Sequence, residues 1–542
     1  MVAGSLGCNV AAPIVDVPLP LRTEPILVAR PQVGAVWRRT VLRAVTVPLV
    51  VLSPIVALAP TADHRFNIYW HGALFRDDPL RIVPDTVHSL PGYLKAGNFR
   101  PLGRMLEKLV DLAAYVLADV FGIPANVAFR LVEMVGAVLL SLAVLVLAES
   151  VLASGPVLRR PPSTVAALLP FAVGAGFVAA GRSSPVVLFG GLYFTSSALV
   201  FAVAAAVARK APDRAVRRRW IVPLLLGGAA LASFNEIAYF ALPLATVAAA
   251  ARGRYVLGVP WRRLAQGGSA RLLALLWLGF LPVFVAVRVV IARDCAAGAC
   301  YRGSDVHLSG AVAATLPERM AAWFPPLMWQ SAVQGHHHWI AGVVLILALV
   351  VLAALAVHAV RDLPRLSPVD ARGAASLAVT AAALLVLGAA LGALNADVQQ
   401  IVAAHRWGQG WRDTASTAPA GALLIAAAAH LMSPKRWLLT GLIGVLALGG
   451  TVSAAANKRF RDTVMNTPAA RLDDRLAQAM ADFDPTPAGQ ARRCELRDEF
   501  FAMFASTPFS LRRFDQAFDT AAEQRAGQRF CPTSATSARG RG

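Results

Sequence analysis

Nine or more apolar runs of membrane-spanning length dominate this chain of 542 residues. Two examples are Val135–Leu152 and Ile340–Val360, and a bilayer core needs about 20 apolar residues. A backbone in lipid must satisfy its own hydrogen bonds, so these runs must be helices. Only 15% of the residues are charged, against about a quarter in a soluble domain. The sequence therefore predicts an all-α, polytopic membrane protein.

Basic residues concentrate in the short connections between the apolar runs. The formal net charge is +21. The basic patches are Arg38, Arg39 and Arg43; Arg159 and Arg160; Arg209, Lys210, Arg214 and Arg217–Arg219; Arg252, Arg254, Arg262 and Arg263; Arg361, Arg365 and Arg372; Lys435 and Arg436. Lys and Arg are enriched in cytoplasmic loops, so we expect a cytoplasmic N-terminus and a C-terminus outside. No basic domain stands apart from the spans, which excludes nucleic acid as a partner.

The lengths of the apolar runs, with the basic patches placed on one side of the membrane, predict about eleven transmembrane helices. The predicted spans are 40–60, 125–152, 164–181, 185–208, 219–234, 236–251, 272–292, 338–360, 374–395, 416–432 and 437–455. Residues 1–36 are expected to form a cytoplasmic tail and residues 37–455 the transmembrane domain, with a first outer loop at 61–124. Residues 456–531 are expected to form a small helical outer cap and residues 532–542 a disordered tail.

The five cysteines agree with this topology. Cys8 lies in the predicted cytoplasmic tail. Cys295 and Cys300 share a predicted outer loop, and Cys494 and Cys531 lie in the predicted cap. Because disulfides persist outside the cytoplasm, we expect two bonds, Cys295–Cys300 and Cys494–Cys531. Chance placement of free thiols is the alternative. The cap has little apolar content of its own, so we expect its stability to depend on the second bond.

The first outer loop contains an amphipathic helix in its second half. Its apolar stripe is Leu102, Leu106, Leu109, Ala113, Val116, Leu117 and Val120, and its polar face is Arg104, Glu107, Lys108, Asp111, Tyr115 and Asp119. This pattern is typical of a helix that lies along a membrane surface. We expect Asn98 to cap its start, and Gly122 to end it. Pro91-Gly92 should separate it from a shorter helical piece near Thr86–Leu90.

The same loop contains an acidic pair, Asp77-Asp78, between Arg76 and Arg81. A carboxylate that takes the proton from an attacking hydroxyl accelerates transfer by about 10²–10⁴-fold. Cations or a metal must neutralise a departing phosphate, so Arg76, Arg81 and the nearby His88 are candidate substrate-binding residues. The alternative is that Asp-Asp-Pro caps a turn.

This layout resembles the GT-C superfamily of membrane glycosyltransferases that use lipid-phosphate sugars. The resemblance rests on a first span, a long outer loop with an acidic pair near its start, and two helices along the membrane. Gly97–Arg104, GNFRPLGR, is similar to a G-x-[FY]-x-P-L/x-G-R stretch of some bacterial members. The resemblance implies that Asp77 or Asp78 is the general base, and that Arg100 and Arg104 lie in the substrate site.

Two further regions contain candidate binding residues. Ser233–Glu236 interrupts an apolar stretch too long for one span, and a tight turn there would place Asn235 and Glu236 at the outer surface. An ionisable residue in such a segment is costly and usually functional, although a simple helix cap is the alternative. Arg130 and Glu133 stand three residues apart and are expected to pair with each other.

The later outer loops add aromatic and basic candidates. The loop 293–338 contains Trp329, a candidate for binding a sugar or polyprenyl tail, and His336–His338, which are too close in sequence to converge on one metal. The loop 396–415 contains Arg406 and Arg412, whose planar guanidinium groups suit a donor phosphate. A solvated loop is the alternative for both.

Two functions compete for this sequence. The first is an inverting glycosyltransferase that moves a sugar from a polyprenyl-phosphate donor to a glycan or lipid acceptor at the outer face of the inner (cytoplasmic) membrane. The second is a transporter or flippase of lipid-linked glycan. Glu133, Glu149 and Glu236 lie near the ends of predicted spans, whereas a transporter should place charges at the midplane, so the enzyme is favoured. No cofactor is certain, but a divalent cation could assist the phosphate. Membrane lipids are expected partners.

Overall fold

The computed structural model describes residues 30–60, 63–210, 216–298, 300, 306–333, 342–432 and 435–532. The regular elements of these ranges are helical, as predicted. They are α1 (Arg30–Leu52), α2 (His64–Phe75), α3 (Ile82–Lys95), α4 (Pro101–Phe121), α5 (Ala125–Leu152), α6 (Val165–Ala175), α7 (Gly190–Arg209), α8 (Ile221–Ala232), α9 (Ala241–Ala251), α10 (Trp261–Gln266), α11 (Gly268–Ala296), α12 (Ala311–Ala321), α13 (Pro325–Val333), α14 (Gly342–Asp362), α15 (Ala371–Ala393), α16 (Ala396–Ala403), α17 (Thr414–Met432), α18 (Arg436–Met465), α19 (Pro468–Ala481), α20 (Pro487–Met503) and α21 (Pro508–Ala526).

Within the described ranges, seven helical segments are long and apolar enough to cross a membrane. They are α5, α7, α11, α14 with its short extension to Arg365, α15, α17 and α18. Their length and composition are those of a multi-pass membrane protein. The other four predicted spans correspond to α1, which carries four arginines, and to the shorter helices α6, α8 and α9. The count of eleven stays a prediction.

Side chains from separate basic connections meet at one end of the helical bundle, called here the basic end. Arg39 and Arg43 on α1 pair with Asp362 at the end of α14, at 2.9 and 2.8 Å. The Trp37 indole N–H donates to the carbonyl oxygen of Arg160 at 2.9 Å. These contacts join the first, second and fifth of the basic patches. They fit the expectation that the patches share one side of a membrane.

The C-terminal ends of α5, α7 and α9 meet at the basic end as well. The Arg252 guanidinium, just after α9, donates to the carbonyl oxygens of Ala153 and Ala208, both at 2.8 Å. Ala153 follows α5 and Ala208 lies in the last turn of α7. A single buried arginine therefore satisfies carbonyl groups that two helix ends would otherwise leave without intrahelical partners.

The opposite end, called here the cap end, carries α2–α4 and the three C-terminal helices α19–α21. Their shared core is aromatic: Phe66 and Tyr69 on α2 pack with Phe500, Phe514 and Phe518 on α20 and α21. The ring centroids of Tyr69 and Phe518 are 4.6 Å apart. The expectation that the cap has little apolar content is wrong, because phenylalanines spaced along α20 and α21 converge only when the helices pack.

Both expected disulfide bonds are present. Cys295, in the last turn of α11, is bonded to Cys300, and Cys494 on α20 is bonded to Cys531 after α21. Their Cα–Cα distances are 4.8 and 4.9 Å, within the range that a disulfide spans. Cys8 lies outside the described residues.

Two predicted details of the first loop are wrong. Pro91 lies inside α3, which continues to Lys95. Pro91 is on the exposed face, where the carbonyl that loses its donor can meet solvent or lipid headgroups. The break falls instead at 96–100, where Gly97 adopts a left-handed φ of 78°. α4 then begins at Pro101 after Arg100, so Asn98 does not cap it, whereas Gly122 ends it as predicted.

A largely buried, non-helical segment, residues 176–189, connects α6 to α7. Such backbone is tolerated among membrane-spanning helices only where protein groups satisfy it. The Asn457 side-chain oxygen accepts from the Ala179 amide at 2.7 Å, and the Arg130 guanidinium donates to the Val187 carbonyl at 2.9 Å. The segment is therefore fixed by side chains from α18 and α5.

The predicted pair of Arg130 and Glu133 is confirmed at 2.6 Å, and both residues are buried. Glu133 also accepts from the Gly190 amide at 2.8 Å, which caps the start of α7. This pair is structural.

Candidate functional site

The amphipathic helix α4 turns its polar face into the protein. Glu107, Lys108 and Asp111 are buried, whereas the exposed fractions of Leu109 and Val120 are 48% and 67%. A soluble protein would show the reverse pattern, since charges are buried only when paired. The arrangement suits a helix whose apolar stripe faces lipid and whose charges belong to an internal polar site.

Asp111 on α4 is shared by two histidines of α2. A hydrogen bond of 2.8 Å joins His71 Nδ1 to one Asp111 oxygen, and His64 Nδ1 lies 3.7 Å from the other. Burial disfavours the charged carboxylate, but the two neighbouring imidazoles, of which His71 is hydrogen-bonded to it, outweigh this effect and lower the pKa of Asp111. Asp111 is therefore held as an anion that orients both rings.

One turn earlier on α4, Glu107 lies between two arginines. Arg100 and Arg104 approach its carboxylate oxygens at 3.2 and 2.8 Å. Burial opposes ionisation of Glu107, but the two guanidinium groups prevail and lower its pKa. The Arg104 guanidinium also covers the Tyr93 ring at 4.2 Å. Both arginines of the GNFRPLGR motif are thus held at the same carboxylate, that of Glu107.

The start of α4 is joined directly to the 233–236 turn between α8 and α9. The amides of Leu102 and Gly103 donate to the carbonyl oxygens of Ser233 and Phe234, both at 3.1 Å. A Cβ at position 103 would lie 2.4 Å from the Phe234 oxygen, so glycine is required there. The structure therefore brings together two regions, around 100–104 and 233–236, that the sequence identified separately.

Glu236 in this turn faces arginines from three distant parts of the chain. Arg412, Arg100 and Arg288 all lie close enough to act electrostatically on its carboxylate. The Arg412 guanidinium stacks 5.0 Å from the Trp411 ring. The neighbouring Asn235 is buried and donates to the Ser196 hydroxyl at 2.6 Å, so Asn235 holds the turn in place.

These three arginines form a cationic group around Glu236 at the cap end, and one of them, Arg100, also pairs with Glu107 at 3.2 Å. Arginine presents planar, delocalised donors that match phosphate oxygens two at a time. Together with Arg104, the other partner of Glu107, four guanidinium groups face two carboxylates, so positive charge is in excess. Chemically, the site can bind a phosphate or phosphodiester and stabilise the charge that develops when a phosphate departs.

Comparisons of the chain with models of known protein families, with curated protein sequences and with solved structures found no match. The local chemistry is therefore the evidence on function. Within the described residues, no group of three or more His, Cys, Asp or Glu side chains could hold a metal ion, and His336–His338 lie outside those residues.

Asp77 and Asp78 are exposed and lie at the other end of α4 from this cationic group. The preceding Arg76 pairs with Asp119 at 2.5 Å. Asp119 lies fifteen residues after Arg104, which corresponds to about 22 Å of helix. That Asp77 or Asp78 acts as the general base stays a prediction.

Arg81 and His88 are also exposed, at the start and on the outer face of α3. In contrast, Lys108 on the inner face of α4 reaches Asp85 on α3 at 2.6 Å. The structure therefore does not bring Arg81 or His88 into the cluster around Glu107 and Asp111.

The two arginines of the 396–415 loop point to different places. Arg412 belongs to the cationic group, whereas Arg406 is exposed and lines a cavity of about 700 Å³ with His405, Trp407 and Gln409. Trp329 on α13 does not reach either place, because its indole N–H donates to the Ser453 hydroxyl at 2.9 Å. Its predicted role in substrate binding stays a prediction.

Sequence reasoning missed three parts of the site: His64, the inward role of Asp111, and Arg288. Arg288 had a signal, because it interrupts an apolar run near the end of α11, and a charge there is costly unless it is used. The pairing of His64 with Asp111, 47 positions later, had none, because it depends on how α2 and α4 pack.

Proposed function

We propose that this protein is a membrane-embedded glycosyltransferase of the GT-C type, which takes its sugar from a polyprenyl-phosphate donor. The observation that carries the proposal is the convergence of Arg100, Arg288 and Arg412 on Glu236. Arg100 comes from the motif that resembles GT-C members. The donor phosphate would pair with these arginines, and Glu236 would yield its partners to the stronger anion.

The apolar surroundings of the site suit a lipid-linked donor. Arg288 lies on α11, whose apolar surface is mostly left uncovered by the rest of the protein, and the apolar stripe of α4 is exposed as well. A polyprenyl chain can therefore stay in the bilayer while its phosphate reaches the arginines. A water-soluble nucleotide sugar has no lipid chain and would not require a site that opens to the bilayer.

The proton acceptor is a carboxylate of the cap end. The resemblance assigns this role to Asp77 or Asp78, and the charge cluster offers Glu236 beside the proposed phosphate position. These alternatives predict different inactive variants. A divalent cation stays possible only as an assistant to the phosphate, since cations of the chain already surround that position.

We further propose that the chain crosses the membrane eleven times. α1 and the residue after α9 make contacts at the basic end, whereas the turn after α8 lies at the cap end. These positions support the proposal that α1, α8 and α9 each cross the membrane. The positive-inside rule then places the basic end in the cytoplasm and the cap outside, in the inner (cytoplasmic) membrane. The two disulfides at the cap end agree with that orientation.

The test is transfer in vesicles that contain the purified protein, a labelled polyprenyl-phosphate sugar and extracted envelope glycans and lipids as acceptors. Asp77→Asn, Asp78→Asn and Glu236→Gln keep side-chain size but cannot accept a proton. We expect one of them to lower the rate at least about 100-fold. Arg412→Lys should weaken donor binding, and Arg475→Lys, in an exposed pair of the cap, is the control.

A lack of transfer and of polyprenyl-phosphate binding across a panel of sugars would overturn the proposal. The alternative hypothesis, a transporter or flippase, makes a distinct prediction. It requires that the intact lipid-linked sugar change leaflets without cleavage of its phosphate–sugar bond. Undiminished transfer by all three carboxylate variants would be compatible with a transferase, but it would show that none of these three carboxylates is the general base.

A further inference from the structure

An apolar groove runs between α14 and α18, at the end of the molecule away from the candidate site. Its volume is about 550 Å³. Its lining includes Leu349 and Ala356 on α14, and Gly444 and Ala447 on α18. Small side chains on both helices leave the space between them open. The chain itself does not fill this groove with any residue of the described ranges.

The groove is about as long as one leaflet of a bilayer is deep. It extends along α14 from Leu349 to Arg361, which are twelve residues apart and therefore about 18 Å of helix. Half of a hydrocarbon core is about 15 Å. Because Arg361 lies at the basic end, beside Asp362, the groove occupies only the basic-end leaflet.

The end of the groove is equipped for a negatively charged headgroup. Arg361 is exposed and is the cationic residue that lines the groove. Arg365, one turn later, has a side chain that is 60% exposed. Trp437 begins α18 at this level and is 67% exposed, as expected of a tryptophan at a membrane interface. These residues mark the headgroup level at the mouth of the groove.

We infer that this groove is a binding site for an anionic phospholipid of the basic-end leaflet. One acyl chain lies against Ala356, Gly444 and Ala447, and the phosphate pairs with Arg361. An apolar chain fits because the groove wall offers dispersion contacts that a flat helix face lacks. A basic residue at the headgroup level favours an anionic over a zwitterionic lipid. Neither feature involves the residues of the proposed transferase site.

Gly444 and Arg361 allow the two features to be tested separately. A Cβ at Gly444 would meet no atom within 4 Å, so we expect the side chain of Gly444→Leu to extend into the groove. Gly441, on the same helix, also has open space around it but does not line the groove. Gly441→Leu is therefore the matched control. Arg361→Gln removes the charge, and Arg372→Gln at the same end is its control.

The measurement is native mass spectrometry of the full-length protein, titrated with dioleoylphosphatidylglycerol or dioleoylphosphatidylcholine. We expect one phosphatidylglycerol to bind tightly to the wild type. Arg361→Gln should weaken it about fivefold, from roughly 1 kcal/mol per basic residue, and should weaken phosphatidylcholine less, because the choline ammonium offsets the charge of its phosphate. Gly444→Leu should abolish tight binding of both lipids, whereas both controls should match the wild type.

A photoreactive phosphatidylglycerol gives a second readout on the unmodified protein. It should label α14 and α18 in preference to the lipid-facing side of α11. Equal labelling of the three helices, or equal binding by Arg361→Gln and the wild type, would overturn the inference. So would a dimer that Gly444→Leu dissociates, because a second copy of the chain would then occupy the groove.

Discussion

The Gly103 amide donates a hydrogen bond of 3.1 Å to the Phe234 carbonyl oxygen. This contact fixes the start of α4 against the turn that carries Glu236. Since a Cβ at position 103 would lie 2.4 Å from that oxygen, we expect Gly103→Ala to push the two segments apart. Overpacking of this kind typically costs about 1–3 kcal/mol. Thermal unfolding, and hydrogen exchange at 100–108 and 231–237, should show the loss.

Gly92→Ala is the matched control, because Gly92 lies in the same loop and a Cβ there would meet nothing within 4 Å. Alanine also favours helix over glycine, so this variant should be neutral or slightly more stable. Equal stability of Gly103→Ala and the wild type would show that the contact between the start of α4 and the 233–236 turn accommodates a Cβ without cost.

Arg319 and Asp413 form a fully buried, two-pronged ion pair with contacts of 2.8 and 2.6 Å. Arg319 also donates to the Gln409 carbonyl at 2.9 Å, so one side chain of α12 fixes the loop that ends at Arg412. Arg319→Ala would leave a buried carboxylate without its partner. We expect a loss of about 3–5 kcal/mol, visible in thermal unfolding and in faster hydrogen exchange at 404–413.

An exposed pair gives the comparison. Arg475 and Glu499 on the cap are about half exposed, and such pairs contribute at most about 1 kcal/mol. Arg475→Ala should therefore change stability little. Similar effects of Arg319→Ala and Arg475→Ala would mean that the buried pair does not hold the loop.

The long helices could be predicted from the sequence, because apolar length alone requires helix in a bilayer. The two faces of α4 could also be predicted, but not which face turns inward. Amphipathicity separates Asp111 from Leu109 without saying what either contacts. That depends on α2, whose His64 and His71 meet Asp111 only after packing. The placement of Arg288 and Arg412 beside Glu236 is likewise a product of helix packing over long sequence distances.

Asp473 on the cap helix α19 pairs with Arg65 on α2 at 2.9 Å. Burial nevertheless raises the pKa of Asp473 from its ordinary value of 3.8 to about 7. The folded state therefore holds this proton more tightly than the unfolded state does. The resulting stabilisation is complete below about pH 4 and is lost as the pH rises through about 7. Hydrogen exchange in 468–481 should slow when the pH falls from 8 to 5, after correction for the intrinsic exchange rate.

Asp473→Asn retains the size and polarity of the side chain but cannot titrate. Its protection should depend less on pH than that of the wild type, and at pH 8 it should be the more protected of the two. Identical pH profiles for the two proteins would show that Asp473 is not the group responsible.

The bond between Cys494 and Cys531 links α20 to the residues after α21, and the two cysteines are 37 positions apart. Closing a loop of this size contributes about 4 kcal/mol in the chain-entropy description. Phe530, next to Cys531, is buried and its ring lies 5.1 Å from that of Phe518. We expect the double variant Cys494→Ser/Cys531→Ser to release 527–532 first, as measured by limited proteolysis.

The aromatic core decides how far this release spreads. Phe514 and Phe518 on α21 pack with Tyr69 of α2 whether or not the bond is present, so α21 should stay protected and the membrane-spanning helices should not change. The double variant Cys295→Ser/Cys300→Ser is the control, because the bond that it removes spans only 5 positions at the end of α11. It should leave cap proteolysis as in the wild type. Mass spectrometry of the non-reduced protein checks the bond itself, and free thiols at 494 and 531 in protein from an oxidising compartment would remove this support for a cap outside the cytoplasm.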